Sequence, residues 1–463
     1  MSSIARLVPT TGELREMARL ATPVVLVNLG MQMQGTVDTL MLGHYSSVAL
    51  AAGAVGNLYF FNVIIVGMGV LMSLDPIVAQ AIGAGDTDGV ARGVQRGLVL
   101  AVLSALVAIV VMLPAGHVLR ALRQPAEIVP GAAAYVRWSI LGVIPWQIFV
   151  TFRQTLQAMH RVLPMAVAVF VANALNAVLN WVLIFGHWGF PAMGVVGSAH
   201  ATWISRWVML ALILWLSWGT LHPALTPWRR SAFEVRPLLR MATLGLPVGM
   251  QMFAEGFAFG LSGILVGWLG ATPLAGQQIT LTMAALTFMV PMGVAGAGAA
   301  LVGRAIGRGD VAAARRDAVA ALACGGGFMA IMAVLFIVAT GAIARAFTGD
   351  AATIAVVFAL LPIAGVFQIF DGTQVVASSI LRGAGDTRMP MILHVLSFWA
   401  VGIPLGVVLC FGLHLGAAGL WWGLTAGLAS AALLQLWRVG SRMRRDISRV
   451  IVDDPLPRGG AQG

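Results

Sequence analysis

VAQAIGAGD, residues 78–86, returns 224 positions later as VGRAIGRGD, residues 302–310. Val78, Ala81, Ile82, Gly83, Gly85 and Asp86 each recur. The same shift relates Pro23 to Pro247, Gly43 to Gly267, and the pair Leu50–Ala51 to Leu274–Ala275. One offset held from Pro23 to Asp86 marks an internal duplication. The segments leading into the two copies echo each other as well: ELREMARLAT at 13–22 and EVRPLLRMAT at 234–243 are both cationic and read as interfacial anchors. The glycines of GAGDTDG and GRGD follow no strand and lack a Walker spacing, so they read as tight turns rather than phosphate cradles.

Composition says where the two copies reside. Of 463 residues 59% are hydrophobic and 10% charged, with a mean hydropathy of +0.91. A soluble domain carries about 25% charged residues, so a water-facing globule is excluded. Apolar runs long enough to cross about 30 Å of hydrocarbon recur throughout. The first six helices are expected over 18–42, 52–80, 98–119, 132–158, 162–186 and 194–218. The second six are expected over 241–268, 275–302, 316–340, 352–380, 388–412 and 416–438. Six is even, so both copies insert in the same orientation, related by an axis along the membrane normal. The expected fold is all-α: a polytopic membrane protein of twelve transmembrane helices in two pseudo-symmetric six-helix lobes, with a cleft between them. Residues 1–218 form the N-terminal lobe, 219–240 (GTLHPALTPWRRSAFEVRPLLR) a linker, 241–440 the C-terminal lobe and 441–463 a polar tail.

A net charge of +11 suggests nucleic acid until its placement is considered. All 28 basic residues are arginine, and they gather in short loops. Assigning the N-terminus and every second loop to one side collects 23 of them there; Arg120, Arg123, Arg137 and Arg345 fall on the other, and Arg206 lies within the sixth helix. That asymmetry orients a membrane protein, with both termini cytoplasmic, and no nucleic-acid partner is implied. Arg15 and Arg19 lead straight into a full span, so no cleaved leader is expected. Cys324 and Cys410 stand alone in apolar segments, which predicts neither a disulfide nor a zinc site.

Four acids fall inside the spans. Asp371 sits in FQIFDGTQ (367–374), Asp38 in MQMQGTVDTLML, Asp75 in LMSLDPIVAQ and Glu255 in GMQMFAEGFAFG. A carboxylate at the bilayer centre costs on the order of 3 kcal/mol and marks function by default. These acids are expected to be protonated or to hold a cation. Asp75, followed by Pro76 and near the interface, reads as structural. Asp38 corresponds by the repeat to Ser262, so its acid is not duplicated and the lobes have specialised. Asn173, Asn176 and Asn180 share one face of the fifth helix, as interhelical hydrogen-bonders or as cavity lining. Phe253, Phe257, Met283 and their neighbours suit a surface that accepts many shapes. No role is assigned to His44, His117, His187 or His414.

The chain resembles the multidrug and toxic compound extrusion (MATE) family in its NorM-like bacterial branch. The resemblance spans the whole length and is carried by QGTVDTLMLGHYSSVALAA, VAQAIGAGD, LNAVLNW, FAEGFAFG, GATPLAGQQIT, MVPMGVAGAGAALVGRAIGRGD and SSILRGAGDTRMPM. It implies a secondary active exporter of hydrophobic, often cationic drugs, driven by inward H+ or Na+. It implies no cofactor, no enzymatic activity and a monomer in the bacterial inner membrane. On the matching positions Glu255 and Asp371 would couple the cation, and would ligate it directly if it is sodium. Asp38 would join in coupling, with Asn176, Asn180, Gln278, Phe253, Phe257 and Met283 lining a polar substrate cavity. Phe367 stands where a tyrosine could supply an oxygen, which weakens the sodium reading. The competing reading, a lipid-linked oligosaccharide flippase of similar build, requires basic residues in the cleft, and Arg206 is the only mid-helix arginine expected. A channel would repeat its selectivity residues, and an intramembrane enzyme would show a motif such as HExxH.

Overall fold

The computed structural model describes residues 9–445 and 447–453; the expected lobe and tail boundaries at 1–8 and 454–463 lie outside them. Among the described residues all regular structure is helical. Twelve long helices cross the molecule: α1 (Thr11–Tyr45), α2 (Ser47–Gly83), α3 (Thr87–Met112), α4 (Val129–Ala158), α5 (Leu163–Phe185) and α6 (Val195–Leu225), followed by α7 (Val235–Gly267), α8 (Ala271–Gly307), α9 (Val311–Val338), α10 (Ala351–Gly383), α11 (Arg388–Gly412) and α12 (Gly416–Met443). Eleven of these are long and apolar enough to span a bilayer. α1, with 35 residues, is long enough but falls short in hydropathy because Asn28, Gln32, Gln34 and Asp38 lie along it. Its start is fixed by a capping box, in which the Thr10 side chain accepts from the Glu13 amide and the Glu13 carboxylate from the Thr10 amide.

The turns read from GAGD and GRGD take one form. Gly85 and Gly309 adopt left-handed φ values of 70° and 75°, a conformation glycine reaches without a Cβ penalty. Asp86 and Asp310 then cap the next helix, accepting from the amides of Gly89 at 2.7 Å and Ala313 at 2.8 Å. Both pairs of residues are separated by the repeat offset of 224.

The lobes meet where these turns lie, with the symmetry the duplication requires. A Cβ on Gly83 would collide with the carbonyl oxygen of Arg304, and one on Gly307 with that of Gln80. Gly83 and Gly307 are repeat equivalents, as are Gln80 and Arg304, so each lobe presents the same glycine to the same backbone position of its partner. Ala79 and Gly303, also equivalents, face each other beside this crossing, which puts them next to the pseudo-twofold axis. Gln80 Nε2 donates to the Gly383 carbonyl at 2.9 Å, Arg316 pairs with Glu13 at 3.0 Å, and Arg304 meets the His160 ring at 2.8 Å. Burial first and the Arg304 charge second push the His160 pKa down to about 4, so the ring is neutral against the guanidinium. At the other end, Gly35, Gly256 and Gly260 have open space where a Cβ would stand.

The polar tail is tied to the helices by ion pairs and hydrogen bonds. Its described part, 447–453, lies over the arginine-rich end. Arg449 pairs with Asp86 at 2.6 Å, the Val450 amide donates to Gln80 Oε1 at 2.7 Å, and Asp453 receives Arg92 at 2.9 Å and Arg96 at 2.6 Å. Arg240, entering α7, donates to the Val452 carbonyl.

Candidate functional site

Between the lobes lies a cavity of 440 Å³. Helices from both halves line it: Met31, Met68 and Trp146 on one side, Met252, Phe259 and Met289 on the other. Thioethers and rings give it an adaptable apolar wall. Glu255 is the acid on the C-terminal wall, and its side chain keeps 23% exposure.

Behind that wall lies Asp371, 7% exposed, on α10. Its Oδ1 is buried with no hydrogen-bond partner. Glu255 is near enough for the two charges to repel each other, and no arginine offsets them. One turn earlier Phe367, fully packed, meets Phe259 edge-on at 6.1 Å and Trp421 at 5.3 Å, so that side of the acid is hydrocarbon. An ionised acid without a partner in such surroundings is costly, so the pair must be neutral or hold a cation. Among the acids within the spans, Asp371 thus has an oxygen to which no described residue donates.

A residue absent from the sequence reading completes this site. His394 on α11 is fully buried and stands 3.6 Å from Glu255 Oε2 through Nε2. Its Nδ1 receives Gln374 Nε2 at 2.9 Å, so in the neutral ring the hydrogen sits on Nε2, facing Glu255. Three residues on, α11 leaves α-helical geometry for a π-helical stretch over Ser397–Gly402, an irregularity that often marks a working site. The signal was available: MILHVLSFW places the imidazole inside an apolar run, unlike His44, His117, His187 and His414 near the outer loops.

The N-terminal acid is treated differently. Asp38 receives Asn180 Nδ2 at 2.5 Å and Thr202 Oγ1 at 3.1 Å. Asn180 also donates to Asn176 Oδ1 at 3.1 Å. The Arg206 guanidinium is close enough to act on Asp38 by charge, and it rests over the rings of Phe60 (4.4 Å) and Trp146 (5.1 Å). Asp38, Asn176 and Asn180 thus come together, though inside the lobe and not among the residues lining the cavity. Asn173 donates to the Gly30 carbonyl, an interhelical tie. Gln278 is exposed, Phe257 stacks between Phe253 and Trp399, and Met283 packs into the C-terminal core, so none of these four lines the cavity either.

The cavity floor corrects the expectation of a single mid-helix arginine. Arg153 and Arg382 both line it. Each sits near the end of a helix at the arginine-rich side, but helical side chains lean toward the N-terminus of their own helix. α4 and α10 begin at the opposite end, so both guanidinia reach back into the cavity. Asp75, read as structural, joins the lobes: Arg382 Nε contacts Oδ2 at 2.8 Å and Gln154 Nε2 contacts Oδ1 at 2.8 Å.

The MatE family model matches residues 23–182 and 247–408. The two matches begin 224 positions apart, the offset of the repeat. The chain is 37% identical to the multidrug resistance protein NorM of Burkholderia vietnamiensis, over 91% of this chain and 92% of that one. It is 36% identical to a probable multidrug resistance protein NorM of Deinococcus radiodurans, over 94% and 97%. An outward-facing multidrug resistance MATE transporter of the MOP superfamily superposes with a TM-score of 0.85 at 19% identity, covering 95% of this chain and all of the other. The eukaryotic MATE transporter AtDTX14 superposes at 0.84 with 20% identity, covering 93% and 97%. Both likenesses concern the fold.

Proposed function

The chain belongs to the MatE family, and from that premise we propose that it is a secondary active multidrug exporter coupled to inward protons through Asp371 and Glu255. The single observation that carries the coupling site is the buried, unpartnered Oδ1 of Asp371 beside a second acid. Phe367 argues for a proton over sodium, since Na+ requires several oxygens and the packed ring contributes none. The arginine-rich end is the cytoplasmic one, with both termini on that side of a bacterial inner membrane. The lobes touch backbone to backbone at that end, Gly83 on Arg304 and Gly307 on Gln80, which suits a state closed to the cytoplasm.

The physical sequence is short. A cation enters from the outer side, neutralises the acid pair and removes their repulsion. Neutralisation changes which arrangement of the lobes is favoured, and the drug leaves as the populations shift. Prolines within α7, α8 and α10 (Pro247, Pro291, Pro362) are points at which those helices can bend.

The test is drug efflux from proteoliposomes with an imposed proton or sodium gradient. Uphill efflux on the proton gradient alone is the expected result. Efflux on sodium alone would reassign the ion, and efflux indifferent to both would sink the antiport.

A further inference from the structure

Residues 447–453 span the seam between the lobes. Ile447 is buried in the C-terminal core, in one cluster with Ala384, Val439 and Met443. Five residues later Val452 is buried in the N-terminal core, in one cluster with Val78, Val90 and Val94. Between them Val450 covers the turn after α10, where a Cβ on Gly385 would collide with it.

The polar contacts cross in the same direction. Arg449 pairs with Asp86 and the Val450 amide donates to Gln80, while Asp453 enters the fork of Arg92 and Arg96 on α3. All four partners belong to the N-terminal lobe, although the segment leaves the last helix of the other one. Arg96 is only 2% exposed, so Asp453 reaches a guanidinium already set into the fold. The linker that leaves α6 does not cross in this way. It stays on α3 of its own lobe, where Gln95 donates to the carbonyls of Ala224 and Pro227 and accepts from the Arg229 amide. A second crossing mirrors the first. Arg316, the repeat equivalent of Arg92, holds Glu13 in the first turn of α1.

From this placement we propose that 447–453 is a latch on the arginine-rich end, and that Asp453 must leave Arg92 and Arg96, and Arg449 must leave Asp86, whenever the lobes part there. The inference rests on the exporter reading, which requires that opening, and adds the residues that set how often it occurs. Arg92, Asp453, Arg449 and Asp86 are each roughly a third exposed on their side chains. Pairs of this kind shift an equilibrium by a factor of a few each, enough to bias the closed arrangement and weak enough to open in every cycle.

The experiment measures spin-label distances by double electron–electron resonance on the full chain in lipid nanodiscs. The labels are carried by Leu163→Cys and Ala312→Cys, exposed positions at the starts of α5 and α9 that do not touch the segment, in a Cys324→Ala, Cys410→Ala background. Asp453→Asn is expected to raise the population of the wider distance about threefold, and Asp453→Asn with Arg449→Gln about tenfold. Raising the salt should move the wild type toward the double variant and move the double variant far less, which a merely structural tail would not show. Thermal melts report whether each variant keeps its fold. Distances that respond to a cationic xanthene dye but not to these substitutions overturn the latch alone. Distances that respond to neither overturn the alternation of the lobes, and the exporter reading and the latch with it.

Discussion

Asp38 and Asp371 are both buried carboxylates in corresponding membrane interiors, yet their surroundings oppose each other. Asp38 has donors on both oxygens and a guanidinium nearby. Asp371 has an empty oxygen, a second acid in place of a base, and hydrocarbon from Phe367. One acid is finished within the fold. The other keeps an oxygen that no described residue satisfies. On the proposed function, the duplicated unit would serve one lobe as framework and the other as engine, since a coupling group must be able to change its charge state without unfolding its surroundings.

The largest expected effect tests that division directly. Asp371→Asn should leave folding intact and abolish concentrative transport. One charge moving through 100 mV supplies about 2.3 kcal/mol, or roughly a fiftyfold gradient, and the variant should relax to equal concentrations on both sides. Proteoliposome accumulation at a fixed potential measures it. A variant that still concentrates its substrate would move the engine to the other lobe.

The next effect runs the opposite way. Asp38→Asn removes the charge facing Arg206 and leaves that guanidinium, whose Nε and Nη1 already lack partners, without an anion. A loss of about 2–3 kcal/mol in stability is expected, with coupling retained. Arg206→Met added to it should recover part of the loss, because the pair is then removed together. Melting in detergent and efflux measured side by side would settle the contrast. A stable, uncoupled Asp38→Asn would erase it.

These assignments differ in how visible they were from the residues alone. The spans, the two copies and the acids Glu255 and Asp371 were legible because hydropathy, a fixed offset and a charge in an apolar run are local signals. Whether an acid is compensated is not local. Arg206 lies 168 positions from Asp38 and Arg382 lies 307 from Asp75, and nothing in either neighbourhood announces the partner. Arg153 was misplaced because loop counting follows Cα positions, while its side chain turns back along α4. His394 was missed because only histidines near the outer loops were weighed. Phe253, Phe257 and Met283 have the right chemistry for a drug site, but helix rotation directs them away from the cavity floor, and composition does not report rotation.

The smallest expected effect sharpens the comparison at the arginine-rich end, where the lobes begin alike. Asp86 and Asp310 cap their helices in the same way, but only Asp86 also holds the tail, through Arg449. Burial of Asp86 is outweighed by the Arg449 hydrogen bond, the Gly89 amide and the charges of Arg449 and Arg92, which together hold its carboxyl below the usual range. A depressed acid stabilises its contact above the ordinary carboxylate pKa, about 3.9, and loses it as pH falls through the lower folded value, so the strap should be intact at neutral pH. Asparagine caps a helix as well as aspartate does, so Asp86→Asn removes the ion pair and keeps the turn. A part-exposed pair contributes about 0.5 kcal/mol, so trypsin should cut after Arg449 roughly twice as fast in the variant. Raising the salt should shrink that difference. Asp310→Asn should leave the rate unchanged, because the C-terminal lobe caps with the same acid and asks nothing further of it. Equal acceleration by both substitutions would mean that the tail is held by the cap geometry common to the two lobes rather than by the charge on one of them.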